Sequence, residues 1–124
     1  WPGTVPTKTV SHHISGFQDI FPTVLELAQI KSKHKVDGIS IVPTLLGKKG
    51  QRQHDYLYWE FDERGEAKAV LKGNWKGVRR NTNNPIEVYN LKKDLSETTN
   101  LAENQKTLVE EFETVFKREH VVQK

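Results

Sequence analysis

The sequence predicts an α+β fold in which a four-stranded antiparallel sheet is packed by a C-terminal helix. Short segments rich in aromatic and β-branched residues follow one another at close intervals between about residues 55 and 91, which is typical of strands. An amphipathic helical pattern follows them at about residues 105–119. A second amphipathic pattern precedes them at about residues 16–29, and loops connect the remaining segments.

The first of these helices lies in the segment 1–54. One helical face is defined by the i, i+3, i+4, i+7 spacing of Phe17, Ile20, Phe21, Val24, Leu25 and Ala28. Ser15 and Gln18 have the spacing of a capping box. Pro22 lies inside the pattern, so a later start at Asp19, which puts the proline in the first turn, is also compatible with the sequence. Polar loops follow on either side of a short apolar segment.

Four strands are predicted after residue 54. They cover residues 55–61, 67–72, 75–80 and 87–91. The breaks between them are rich in Gly, Asn and Pro, which favour turns. Short connections imply antiparallel neighbours, because parallel strands need long crossovers.

Tyrosine and more apolar side chains alternate along the first part of the first strand. We expect Leu57, Trp59 and Phe61 to face the final helix, with Tyr56 and Tyr58 on the opposite face and their hydroxyls toward water. The alternative is that these aromatic residues line a sugar-binding surface. The alternation itself favours packing within a sheet.

The last helix is predicted from one apolar stripe. It consists of Leu108, Val109, Phe112, Val115 and Phe116. Asn104 has the residue type and position of a helix N-cap. Because an amphipathic helix must bury its stripe, we expect it to pack across one face of the sheet.

Composition limits the function classes. The formal net charge is +3, but basic and acidic residues are interleaved and no nucleic-acid recognition motif accompanies them. Nucleic-acid binding is therefore not expected, whereas a module that binds another anionic polymer stays an open alternative. No apolar run is long enough to cross a membrane. The absence of cysteine excludes disulfides and thiolate metal sites.

No catalytic or metal-binding set emerges from the motifs. His12 and His13 are adjacent, so they point apart in a strand or a helix and chelate a metal poorly. There is no nucleophile elbow and no phosphate-binding loop. The acidic residues around the first strand break, Glu60 among them, could supply paired carboxylates, but a solvated turn is the simpler interpretation.

Several segments, in order, resemble the tail of the sulfatase family within the alkaline-phosphatase-like superfamily. They are residues 1–3, 19–28, 37–47, 58–61, 69–76, 87–91 and 94–102. The Asp-Gly-x-Ser pattern of residues 37–40 and the Asn-Leu-Ala of residues 100–102 are examples. Three positions depart from the family pattern: Leu71 stands where arginine is frequent, Gly77 where a bulky residue is usual, and Leu95 where proline is usual.

The resemblance implies a parent enzyme that hydrolyses sulfate esters, among them those of sulfated sugars. Such enzymes use a formylglycine made from Cys or Ser and a divalent cation, usually calcium, and both lie upstream of the segment that this chain resembles. The chain has no methionine, which fits a piece of a longer protein. It would then be a non-catalytic domain of a periplasmic or secreted enzyme. The tail of a related phosphodiesterase or phosphonate hydrolase is the alternative.

The resemblance also predicts how the chain is divided. Residues 1–54 would pack on a missing N-terminal catalytic domain, and residues 55–124 would form a C-terminal subdomain. The first hairpin would edge the cleft that holds the sulfated substrate. The candidate residues there are Glu60, Phe61, Arg64 and Lys68. Without its catalytic domain, the chain is expected to expose an apolar patch or to cover it by self-association.

Overall fold

The computed structural model describes residues 1–61 and 65–121. The chain forms two compact units, Trp1–His54 and Asp55–Lys124. The first unit contains a 3₁₀ turn (Phe17–Asp19) and the helices α1 (Ile20–Leu27) and α2 (Val42–Leu45). The second contains β1 (Leu57–Phe61), β2 (Ala67–Lys72), β3 (Trp75–Arg79), β4 (Glu87–Asn90), a 3₁₀ turn (Ala102–Asn104) and α3 (Lys106–Glu119). These elements confirm the predicted α+β fold. None of the helices in the described ranges is long and apolar enough to cross a membrane.

The start of α1 differs in detail from its prediction. The capping box is not formed by Ser15 and Gln18, but lies one residue later, where the backbone N–H of Gly16 donates to Asp19 Oδ2 at 2.8 Å. Pro22 lies in the first turn of α1, where backbone N–H groups have no partner within the helix. The proline is therefore compatible with the helix that the apolar spacing predicts.

A loop approaches the start of α1 closely. The backbone N–H of Ile41 donates to Thr23 Oγ1 at 3.0 Å, and the Thr23 hydroxyl donates to the carbonyl oxygen of Asp19 at 2.5 Å. A Cβ on Gly38 would lie 2.0 Å from the backbone oxygen of Gln18. Gly38 is thus needed for this close backbone approach, because any larger residue would collide with the chain ahead of α1.

The sheet of the second unit has the order β1-β2-β3-β4, and every neighbouring pair is antiparallel. One cross-strand row runs from Tyr58 through Val70 and Gly77 to Val88. Because side chains alternate along each strand, this row marks one face of the sheet. Val70 and Val88 are both fully buried, so this is the face that α3 covers.

The apolar stripe of α3 fills the core above that row. The cluster consists of Val70, Ile86, Val88, Phe112, Val115 and Phe116, with Leu108 and Val109 packed at its edge. The predicted stripe is therefore confirmed. The predicted cap is wrong, because Asn104 ends a 3₁₀ turn and α3 begins at Lys106 without a side-chain cap.

The faces of β1 are reversed relative to the prediction. Tyr58 packs on the α3 side, with its ring centroid 6.1 Å from that of Phe116. Tyr56 lies on the same side, and its hydroxyl donates to Glu119 at 2.6 Å. Trp59 and Phe61 point to the other face and are exposed. A shift of one residue moves every side chain of a strand to the opposite face of the sheet. The carboxylate of Glu119, at the end of α3, accepts the hydrogen bond of the Tyr56 hydroxyl, which would otherwise need water.

Candidate functional site

A polar cluster lies where the β1–β2 hairpin meets the end of α3. Glu60 and Lys68 are opposite each other in the strand register, and Lys68 Nζ lies 3.1 Å from Glu60 Oε1. Nδ1 of His120 is 2.6 Å from the same oxygen, and the hydroxyl of Tyr58 donates to Glu60 Oε2 at 2.9 Å. Both Glu60 and Lys68 side chains are only 12% exposed. We call these four residues the Glu60 cluster.

The cluster keeps Glu60 ionised. Burial alone would raise the pKa of Glu60, but hydrogen bonds from His120, Tyr58 and Lys68 lower it from 4.5 to about 2. Glu60 is therefore a carboxylate at neutral pH and cannot act as a general acid. Because a carboxylate only accepts hydrogen bonds, the short contact with His120 requires the proton to be on Nδ1.

The structure brings together two of the four residues predicted for the site. Glu60 and Lys68 form the ion pair, whereas Phe61 follows Glu60 along the strand, points to the opposite face and is 59% exposed. Arg64 lies outside the described residues. The sequence did not predict Tyr58 as a partner, although its position two residues before Glu60 places it on the same strand face. Nor did it predict His120, which lies 60 residues from Glu60 in the sequence.

A second polar cluster lies in the first unit, around Asp19. This carboxylate is 1% exposed and accepts hydrogen bonds from the backbone N–H of Ile39 at 2.7 Å and of Gly16 at 2.8 Å. His54 Nε2 lies 2.7 Å from Asp19 Oδ1. Burial raises the pKa of Asp19, but the hydrogen bonds from these three residues outweigh burial and lower the pKa below 3.8. Every oxygen of Asp19 is occupied, so its role is to hold loops onto α1.

In the part of the chain that the structure describes, the carboxylate and histidine side chains do not fit the divalent cation that the sulfatase resemblance implies. Within residues 1–61 and 65–121, no group of three or more His, Cys, Asp or Glu side chains lies close enough to hold a metal ion. Calcium takes six to eight oxygen ligands. The sequence contains no cysteine, which is one of the two residues from which formylglycine is made.

Comparison with known proteins identifies the family. The family model described as "N-sulphoglucosamine sulphohydrolase, C-terminal" matches residues 1–121. The chain is 33% identical over 93 residues to the Delta 4,5-hexuronate-2-O-sulfatase of Bacteroides thetaiotaomicron, which covers 71% of the chain and 19% of the relative. It is 35% identical over 79 residues to the N-acetylgalactosamine-6-sulfatase of Mus musculus, covering 61% of the chain and 14% of the relative.

Solved structures agree with this assignment. A 2-O GAG sulfatase matches 81% of the chain with a TM-score of 0.70 and 29% identity, and the match covers 23% of that protein. The chain thus spans less than a quarter of the length of these relatives. The predicted resemblance to a sulfatase tail is confirmed. The match over residues 1–121 shows that the chain belongs to the C-terminal N-sulphoglucosamine sulphohydrolase family.

Proposed function

We propose that this chain is the C-terminal packing domain of a sulfate-ester hydrolase whose catalytic residues lie in a preceding domain. The matched relatives are named as sulfatases, and the chain corresponds to about a fifth of the first of them. Formylglycine and calcium would then belong to the preceding domain. The sulfated substrate would be bound by the complete protein. Export to the periplasm or out of the cell, which the family resemblance implies, is part of the same proposal.

The observation that carries this proposal is the exposed apolar stripe of the first helical segment. Phe17 is 84% exposed, and Ile20, Phe21 and Val24 are exposed beside it. These residues follow the helical spacing of a face that is normally buried. A contiguous apolar surface of this kind marks a protein contact. The preceding catalytic domain is the proposed occupant, since the relatives carry most of their length outside the matched region.

The stripe predicts the behaviour of the isolated 124-residue chain. We expect it to self-associate or to bind a hydrophobic dye, and the double substitution of Phe17→Ser and Phe21→Ser to reduce the dye signal by about half, because these two rings form much of the exposed stripe. Sedimentation velocity and dye fluorescence measure the two effects. Leu95→Ser is the control, since Leu95 is exposed on a loop of the other unit.

Two results would contradict this proposal. One is a monomeric wild-type chain that does not bind the dye, because the stripe would then need no covering partner. The other is hydrolysis of a sulfate ester by the purified chain, because the reactive groups would then lie within these 124 residues.

We also propose that the first hairpin lies at the edge of the cleft that holds the sulfated substrate in the complete protein. The side chains of Glu60 and Lys68 are engaged with each other and with the end of α3, which supports a role in fixing the hairpin. Phe61 is exposed on the other face, beside Trp59. An aromatic ring offers a rigid apolar surface for the CH groups of a sugar ring. We therefore assign the substrate contact to Phe61, with Arg64 as the basic residue that follows it in the sequence.

This assignment predicts the kinetics of the complete protein. Phe61→Ala is expected to lower kcat/KM for a sulfated sugar about tenfold, which corresponds to about 1.4 kcal/mol of lost contact. Steady-state kinetics on the complete protein measure the change. Leu95→Ala removes a similarly exposed apolar side chain from a different loop and should leave kcat/KM unchanged. Equal values of kcat/KM for wild type and Phe61→Ala would show that Phe61 does not contact the substrate.

A further inference from the structure

We propose that a cleft between the sheet and the last turn of α3 binds a small oxyanion of the sulfate type. The cleft has a volume of about 200 Å³. It is lined by Lys68, Arg79, Glu113, Phe116, Lys117 and His120. All of these residues belong to the second unit, so the proposal goes beyond the proposed function and does not require a catalytic domain.

The two carboxylates at this cleft, those of Glu113 and Glu60, are each paired with a cationic side chain. Glu113 Oε2 accepts from Arg79 Nη2, and its Oε1 lies 3.8 Å from Lys117 Nζ. The Glu60 carboxylate beneath the cleft is occupied in the same way by the other members of the Glu60 cluster.

The cationic groups, in contrast, have donors to spare. A guanidinium has five N–H donors, and Arg79 uses two of them, through Nε to the carbonyl oxygen of Asn84 at 3.1 Å and through Nη2 to Glu113. Lys68 Nζ lies 3.2 Å from His120 Nδ1, but that nitrogen carries the proton donated to Glu60 and cannot accept another. Lys68 is therefore left with Glu60 as its acceptor, and two of its three N–H groups are available.

Charge and geometry indicate the class of ligand. Lys68, Arg79 and Lys117 are three positive charges against the two carboxylates, so the cleft has a positive surplus. The guanidinium of Arg79 lies 5.6 Å from the ring centroid of Phe116, which holds it in place by a cation–π contact. A fixed guanidinium suits an oxyanion, because its planar donors can bind two oxygens at once. The volume is below the roughly 300–1,000 Å³ of pockets for drug-sized ligands, which favours a single sulfate group.

The test is a titration of the 124-residue chain with sodium sulfate, followed by the shifts of its amide NMR signals. Ionic strength is held constant with sodium chloride, so that general screening does not change. We expect saturable shifts and an affinity about fivefold to tenfold lower for Lys117→Gln, which corresponds to about 1.0–1.4 kcal/mol. The Lys117 side chain is 76% exposed, so this variant preserves the fold. Arg79→Gln should weaken binding further.

Lys93→Gln is the matched control, because Lys93 is exposed on a loop and does not line the cleft. Titration with a monosulfated sugar and with its unsulfated parent separates the two sources of the anion. Saturable binding of the sulfated sugar but not of its parent identifies a sulfate ester as a ligand, whereas saturation by inorganic sulfate alone identifies the free ion. Shifts that fail to saturate, or that weaken equally in Lys117→Gln and Lys93→Gln, would overturn the proposal.

Discussion

Gly77→Ala is expected to destabilise the unit Asp55–Lys124 by about 1 kcal/mol. Gly77 lies in β3 under α3, where a Cβ would be 2.3 Å from Cδ2 and 2.9 Å from Cγ of Phe112. The Phe112 ring is fully buried among the other core residues, so it cannot turn away without displacing them. Overpacking of a filled core costs about 1–3 kcal/mol, which exceeds the gain of about 0.5–1 kcal/mol from replacing glycine in a strand.

A double-mutant cycle isolates this contact. Phe112→Leu alone should also be destabilising, because it leaves part of the core unfilled. Combined with Gly77→Ala, it should cost less than the sum of the two single effects, since the smaller side chain leaves room for the new methyl group. Urea unfolding of the four proteins gives the coupling free energy. Additive effects would mean that the ring and the glycine do not limit each other.

Gly77 also shows what the sequence predicts and what it leaves open. Taken from the sequence, this glycine is only a departure from the family pattern, in which a bulky residue is usual. The structure gives the physical reason, because Phe112 occupies the space above it. The phenylalanine itself could be predicted as part of the α3 stripe, since helical periodicity is a local property. Its partner across the core could not, because the rotation and height of a helix over a sheet are set by packing.

Polar contacts between residues that are distant in the sequence could not be predicted either. The four strands and their order follow from local turn chemistry and short connections, and the structure confirms them. Glu60 and Lys68 were both candidate residues because they lie in one hairpin. His54 and Asp19, however, are 35 residues apart in the sequence, and neither spacing nor residue type pairs them. The two faces of β1 were assigned in reverse, because alternation gives the period of a strand but not which face is covered.

Asp19→Asn is expected to destabilise the unit Trp1–His54 by about 2 kcal/mol. The substitution keeps the shape of the side chain but turns one of its two acceptors into a donor. The carboxylate accepts from Gly16 on one oxygen and from Ile39 and His54 on the other. An amide therefore faces at least one buried N–H with its own N–H, and a buried donor without an acceptor costs about 1–3 kcal/mol.

Amide hydrogen exchange in α1 and at Ile39 measures this loss within the first unit. Asp37→Asn is the matched control, since Asp37 is exposed and lies in the loop that contacts α1. The control should leave the exchange rates of those amides unchanged. Equal protection in wild type and Asp19→Asn would show that the carboxylate does not hold the loop.

The pH dependence of the stability difference between wild type and Asp19→Asn gives an independent test, because this dependence reflects the ionisation of Asp19 rather than the shape of the side chain. The folded pKa of Asp19 is lowered below 3.8, so its stabilising contribution is fully present above that value and is lost as the pH falls through the folded pKa. The asparagine variant has no carboxyl group to titrate at this position. The stability advantage of the wild type should therefore shrink as the pH is lowered from about 5 toward 3 and below. An advantage that stayed constant over this interval would mean that the hydrogen bonds of Asp19 do not depend on its charge.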